Sequence, residues 1–378
     1  MDEIVISPSG DQSAVTAFRN TQFVVAWQDR GASSIKGRLF GTNGNPTGNE
    51  FLVNAPTKTN PVRNWMTVVE CGLGFVIAWI ERAPGLHGNV KLRIFDADTQ
   101  SPGDEIQINT ADVDLNQPPA LAPLSDGGFI VVWADARPAE RIRAQRFGAD
   151  GARNGPDFRV NTVEGLHRHP MVTRLVDGNI VVGWIARVAG RLMHVRFQIL
   201  GGETTVGGEQ ILDPAVTQAA MTSLDSGRFV IARVKNPGDG EVVDRSVVEA
   251  NVFEANGAPS GSSFAVTDEQ AILSSWPTVA ALPGERILLA WTQGSMAAPA
   301  AGTNVRARIF AGTQNPLGQA TQLNTTTGGD RFSLCTATAF GVGEGDNLFA
   351  VWSSQSSDGT FSRAANGRAM AIPPGGFA

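Results

Sequence analysis

The chain of 378 residues has no tyrosine, two cysteines and four histidines. Each scarcity excludes a chemistry. Without tyrosine no phenol can act as a proton donor, so any acid–base role falls to histidine or a carboxylate. Cys71 and Cys335 lie far apart and outside any metal-ligand spacing. That excludes a disulfide framework and a zinc site and leaves two buried thiols as the expectation. No apolar run reaches the ~18 residues of a membrane span, so no membrane insertion is expected. The opening residues MDEIVIS carry neither a basic segment nor the apolar stretch of a secretory signal, and export by a cleaved signal would need a longer precursor. Basic residues are outnumbered 30 to 36, giving a net charge of −6, and a nucleic-acid partner normally meets a basic face. No nucleic acid is therefore expected as partner.

What the chain does contain is an internal repeat. FVVAW at 23–27 returns as FVIAW at 75–79, FIVVW at 129–133, IVVGW at 180–184, FVIAR at 229–233, ILLAW at 287–291 and LFAVW at 348–352. Each is a short, continuously apolar, β-branched and aromatic run, the pattern of a strand covered on both faces. An alternating strand precedes it, as in PALAPL from Pro119, PMVTRL from Pro170 and PTVAAL from Pro277. A strand closing on an aromatic follows it, such as IKGRLF, VKLRIF or VRARIF, then a Gly- and Asn-rich turn of the kind tight hairpins need, and a fourth strand such as FLVN, IQIN or TQLN.

Four antiparallel strands per unit without helical spacing specify an all-β, seven-bladed β-propeller, one domain over residues 1–378. The blades span approximately 11–54, 59–109, 115–161, 167–213, 216–268, 271–324 and 330–372. The last lacks a fourth strand. DEIVIS, residues 2–7, matches the missing element, so the N-terminal strand is expected to complete the last blade and close the ring.

The unit F-V-V-A-W … R-x-F … G-N-P … G-x-E-F-x-V-N resembles repeats found in tandem in large secreted bacterial proteins of the RTX and adhesin type. The resemblance covers the whole chain and implies a propeller and an extracellular location; it carries over no catalytic residue. The glycine- and aspartate-rich calcium nonapeptides of such proteins are absent here. SSDGTF at 356–361 is one residue too compact for an Asp-box, and no WD or kelch signature occurs.

Candidate site residues come from the loops that leave the second strands and enter the first strands of the next blade. The first set comprises Arg30, Arg82, Asp135, Arg137 and Arg187, with Asp29 and Glu81 beside them. It reads either as surface pairing, about 0 to 1 kcal/mol per exposed pair, or as a ring of guanidinium groups suited to carboxylates. Arg233 replaces the repeat's tryptophan in blade 5, either at a wet rim or placed for an anion. In the column just before the first strand, blades 2, 4 and 6 carry Trp65, His169 and Trp276. Exposed indoles stack on the apolar face of a sugar, and they equally serve rim packing. His167 lies two residues before His169, and in an extended chain both would face one side, as a general-base or metal pair requires. Asp135 on the neighbouring blade is the candidate for a third ligand to a divalent metal, no metal site is assigned, and no cofactor is implied. Phosphate cradles, nucleophile elbows, HExxH and CxxC motifs are absent.

Three functions follow. The first is a lectin-like module binding a carbohydrate or protein ligand at the loop end of the ring. The second is a lyase acting on an acidic polysaccharide, with arginines neutralising the uronate and His167 or His169 removing the adjacent proton. The third is a structural component of a larger assembly such as a virion or surface layer.

Overall fold

The computed structural model describes residues 2–19, 21–56, 61–82, 88–96, 101–113, 117–136, 141–187, 192–202, 204–236, 246–267, 272–295, 302–312, 315–326, 328–341, 345–355 and 363–377. They form seven four-stranded antiparallel sheets and no helix. In six sheets the strand order follows the chain. In the seventh, Ile4–Ser7 lies outermost beside Arg363–Ile372, followed by Gly345–Gln355 and Asp330–Gly341. First strands of neighbouring blades lie against one another and surround the axis. The protein is a seven-bladed β-propeller.

The continuously apolar second strands are explained by the spaces between blades. In Gln22–Asp29, Val24 and Ala26 pack with Phe75, Ile77 and Trp79 of blade 2, whereas Phe23, Val25 and Trp27 pack with Phe349 and Val351 of blade 7. A strand sandwiched between two neighbouring sheets has no solvent face, so polar alternation disappears. Each fully buried Val, Ile or Phe contributes about 1.5–3 kcal/mol, and seven such clusters fill the seven interfaces.

In five blades the polar residue ending the fourth strand also has a structural job. The side-chain oxygens of Asn54, Asn109, Asn161 and Asn324 accept the backbone N–H of Ile35, Val90, Ile142 and Val305 at 2.6, 2.7, 2.9 and 2.7 Å. Thr267 does the same for Val248 at 3.0 Å. Each satisfies a buried donor where the ladder runs out.

Closure occurs as the sequence predicts. Ile4 pairs with Gly367, Val5 with Asn366 and Ser7 with Ala365, and Ile6 is buried with Trp27 and Phe349. Gly367 is required there, because a Cβ would lie 2.9 Å from Ile6 Cδ1 and 3.0 Å from the Phe349 ring. The fully buried carboxylate of Asp11 joins the first and last blades by receiving Arg30 at 2.7 Å and Arg363 at 2.8 Å. At the other terminus, Phe377 is buried against blade 6 and bridges Gly318.

Two experiments test this account. Deleting residues 1–7 removes the burial of Ile6 and a row of ladder hydrogen bonds, so unfolding by urea should show a loss of at least ~3 kcal/mol; unchanged stability would contradict closure by this strand. The second concerns acid. Burial would push the Glu209 and Glu285 carboxyls up, but hydrogen bonds from Arg196 and Thr162 to Glu209, and from Arg228 and Ser226 to Glu285, hold both below their ordinary value. Depressed carboxylates stabilise the fold above the unfolded value of ~4.3, and this contribution is lost as pH falls through the lower folded values. Stability measured from pH 7 to pH 3 should therefore drop below ~4.3, less steeply in Glu285→Gln.

A candidate binding site at the axis

The site originates in the packing of the second-strand tryptophans. In blade 2, Asn64 pairs with Ile80 and Thr67 with Ala78, so Trp65 and Met66 together face Trp79. The same two-against-one bulge sets Gln12–Ser13 opposite Trp27, His169–Pro170 opposite Trp184, Trp276–Pro277 opposite Trp291 and Ser333–Leu334 opposite Trp352. A bulge of this kind re-aims a side chain. The first residue of each has a positive φ: 48° at Gln12, 53° at Trp65, 50° at His169, 52° at Trp276 and 52° at Ser333. Blades 3 and 5 lack this bulge. In blade 3 the paired strand begins at Ala120, past Pro118, and in blade 5 Arg233 stands where the tryptophan would be, with Ala219 opposite it in register.

A left-handed backbone at a bulky residue costs of order 1–3 kcal/mol and persists only where neighbours hold it. Here the holding groups are glutamines of the preceding blade. The N–H of Trp65 donates to Gln12 Oε1 at 2.8 Å, that of Trp276 to Gln218 Oε1 at 2.5 Å, and that of His169 to Gln117 Oε1. Gln12 is itself anchored, its N–H donating to Ser353 Oγ at 2.8 Å. Odd blades thus hold the strained backbone of even blades.

These bulges surround a cavity of about 200 Å3 at one end of the axis. The half-buried indoles of Trp65 and Trp276 meet there with ring centres 6.4 Å apart and planes 24° from parallel. His169 is half-buried in the same wall. Met66, Met171, Ala219 and Leu334 give the cavity an apolar lining, and no Asp, Glu, Lys or Arg lines it. The surface therefore suits an uncharged group with an apolar face.

The other sequence candidates lie elsewhere. His167 is buried with its ring 6.2 Å from Trp184 and does not line the cavity. The expected pairing of His167 with His169 on one side is corrected by the bulge between Arg168 and Met171, because same-side placement of alternate residues holds only in a regularly extended chain. Arg30 is held by Asp11, and Arg82 and Arg187 are exposed at strand ends. Asp135 is buried, which pushes its carboxyl up against the opposing pull of Arg143. Arg233 is buried with a guanidinium nitrogen 3.4 Å from Glu249, so its charge is met inside the blade. Arg137 lies outside the described residues. Among the described residues no group of three or more His, Cys, Asp or Glu could hold a metal ion.

Sequence reasoning missed Gln12, Gln117, Gln218, Ser333 and Cys335. Gln12, Gln218 and Ser333 occupy the same repeat column as the aromatic residues, so the column itself was the available signal. Cys335 lines the cavity half-buried, as Cys71 is half-buried in blade 2.

No family model matches the sequence, and no curated protein does. Solved structures do resemble it. The polysaccharide lyase Uly1 superposes with a TM-score of 0.58 at 12% identity, over 97% of this chain and 90% of that one. An ulvan lyase of a new polysaccharide lyase family, bound to -[GlcA(1-4)Rha3S]-, gives 0.58 at 10% identity, over 96% and 93%. The α-L-arabinanase of Penicillium chrysogenum, complexed with arabinobiose, gives 0.54 at 11% identity, over 78% and 94%. Likeness at these identities is one of fold.

Burial pushes the Cys335 thiol up to about 11. Because the thiolate is the reactive form, alkylation of Cys335 by iodoacetamide, followed by peptide mapping, should be slow at pH 8 and accelerate as pH approaches 11. An ordinary thiol rate at pH 8 would contradict the raised thiol value.

Proposed function

We propose that the protein is a carbohydrate-binding propeller that takes a neutral sugar unit at the axial cavity. One observation carries this reading: indoles from blades 2 and 6, distant in the chain, converge to 6.4 Å in a cavity whose lining holds no charged Asp, Glu, Lys or Arg. Indole faces cover the apolar C–H surface of a sugar, and an aromatic pair in such geometry contributes about 0.5–1.5 kcal/mol beyond burial. That two of the similar structures are described with a saccharide bound, one acidic and one neutral, supports the carbohydrate part of the reading.

A lyase is the second reading, favoured by His169 in the cavity wall and by the polysaccharide lyases among the similar folds. In that reaction His169 would take the proton next to the uronate carboxylate as the bond to the leaving oxygen breaks. The charge that develops on the carboxylate needs a cationic partner. None lines the cavity, and Arg30 and Arg233 already face Asp11 and Glu249.

The test is retention of the purified protein on immobilised neutral and acidic polysaccharides at low and high salt. Salt-resistant retention on neutral glycans, weakened at least about tenfold in Trp65→Ala and in Trp276→Ala, is expected. Release of unsaturated uronate product, lost in His169→Ala with binding retained, would replace this reading by the lyase. Retention on neither class would overturn both and leave a protein ligand to be sought.

A further inference from the structure

The cavity's hydrogen-bonding groups narrow the ligand further than its aromatic faces do. Gln12 and Gln218 both line it, and both commit their side-chain carbonyl to the neighbouring blade, at 2.8 Å to Trp65 N and 2.5 Å to Trp276 N. An amide whose oxygen is fixed in this way presents its –NH2 as a pure donor. Among the described residues neither –NH2 donates to another protein group. The cavity therefore sets a donor-only group beside each indole. Ser13, Ser333 and His169 add polar groups to the lining, whereas Met66, Met171, Ala219 and Leu334 give apolar surface where a hydroxyl would be buried without a partner at a cost.

A ligand that fits must bring an acceptor and a methyl-sized apolar group close together, on a ring with an apolar face and no charge. An acetamido group has this arrangement: its carbonyl accepts, and its methyl requires no hydrogen bond. We propose that the axial cavity recognises an N-acetylated amino sugar, the acetamido carbonyl accepting from the –NH2 of Gln12 or Gln218 and its methyl resting on the methionine and leucine side chains. This rests on the reading of the cavity as a neutral-sugar site and deepens it. The two glutamines then have two roles each, holding the indole-bearing bulges through their oxygens and selecting the ligand through their nitrogens.

The test compares N-acetylglucosamine and N-acetylgalactosamine with glucose, galactose and the cationic glucosamine, by titration calorimetry and by the fluorescence change of the tryptophans. The acetamido sugars should bind about tenfold more tightly than the parent hexoses, the fold-change of one well-made hydrogen bond with its apolar contact, and glucosamine should bind most weakly. Gln218→Glu keeps an oxygen to accept the Trp276 N–H and removes the donor. The affinity ratio of N-acetylated sugars to their parent hexoses should shrink in that variant. Equal affinity for hexoses and their acetamido counterparts would overturn this inference and leave the neutral-sugar reading standing. An N-acetyl preference unchanged in Gln218→Glu and in Gln12→Glu would overturn the role of the amides. No binding of any of these sugars would overturn both readings together.

Discussion

A ring of twisted sheets has to close on itself, and every other feature of this molecule depends on the place where it does. Any linear array of blades would end in two unpaired faces, each with an apolar second strand on one side uncovered. Ile4–Ser7 removes the problem by becoming the outer strand of the sheet that the chain's end builds, so that chain terminus and chain start share one blade. The interface so made between blades 7 and 1 is of the same kind as the others: Phe23, Val25 and Trp27 meet Phe349 and Val351 as Phe75 and Ile77 meet Val24 and Ala26. Asp11 then adds a charged tie, holding arginines from both partners on a carboxylate with no exposure.

Closure matters for the site because the site belongs to no single blade. Trp65 and Trp276 are separated by two intervening blades around the short side of the ring, and only a rigid circle brings their rings to 6.4 Å. The local device is the bulge. A buried tryptophan in the second strand occupies the width of two residues in the first, and the first of those two is turned into a left-handed conformation. The tryptophans in the FVVAW-type runs thus shape the inter-blade core and at the same time aim the residue opposite them at the axis. Where Arg233 replaces that tryptophan, Ala219 pairs with it in register and the irregularity lies earlier, between Val216 and Gln218.

The architecture was legible in the sequence because it is written in a pattern repeated seven times, and each repetition has the same physical cause, a strand buried on both faces. The closing strand was legible for the same reason, since Ile4, Val5 and Ile6 occupy a column whose other members were known. The site was legible only in part. Trp65, His169 and Trp276 stood out from their column by size, and the structure brings all three to one cavity. The glutamines stood in or beside the same column and passed unnoticed, because a glutamine's contribution is a hydrogen bond to the backbone of another blade, 53 residues away for Gln12 and 58 for Gln218. Neither partner changes its residue type to record such a contact. His167 shows the opposite failure: two-residue periodicity suggested a shared face, and the unannounced bulge at His169 removed it.

The distribution of charge gives the last constraint on function. Thirty basic and 36 acidic residues surround this ring, and beyond the axis their pairing is systematic: Arg63 with Glu81, Lys36 with Asp29, Arg143 with Asp157, Arg196 with Glu209, Arg228 with Glu285. These contacts join strands within a blade or one blade to the next, and a guanidinium engaged by a partly buried carboxylate is poorly placed to be recruited by a ligand, since extracting it would leave the carboxylate unpaired at a cost of several kcal/mol. An acidic polymer approaching the loop end would meet the exposed Arg82 and Arg187 at strand ends but a cavity with no Asp, Glu, Lys or Arg in its wall. A neutral ring meets no such penalty: it displaces water from indole, methionine and leucine surface, and the glutamine amides, Ser13, Ser333 and His169 meet its polar groups. The packing that makes seven blades cohere thus also sets the chemical character of the space they leave at the centre.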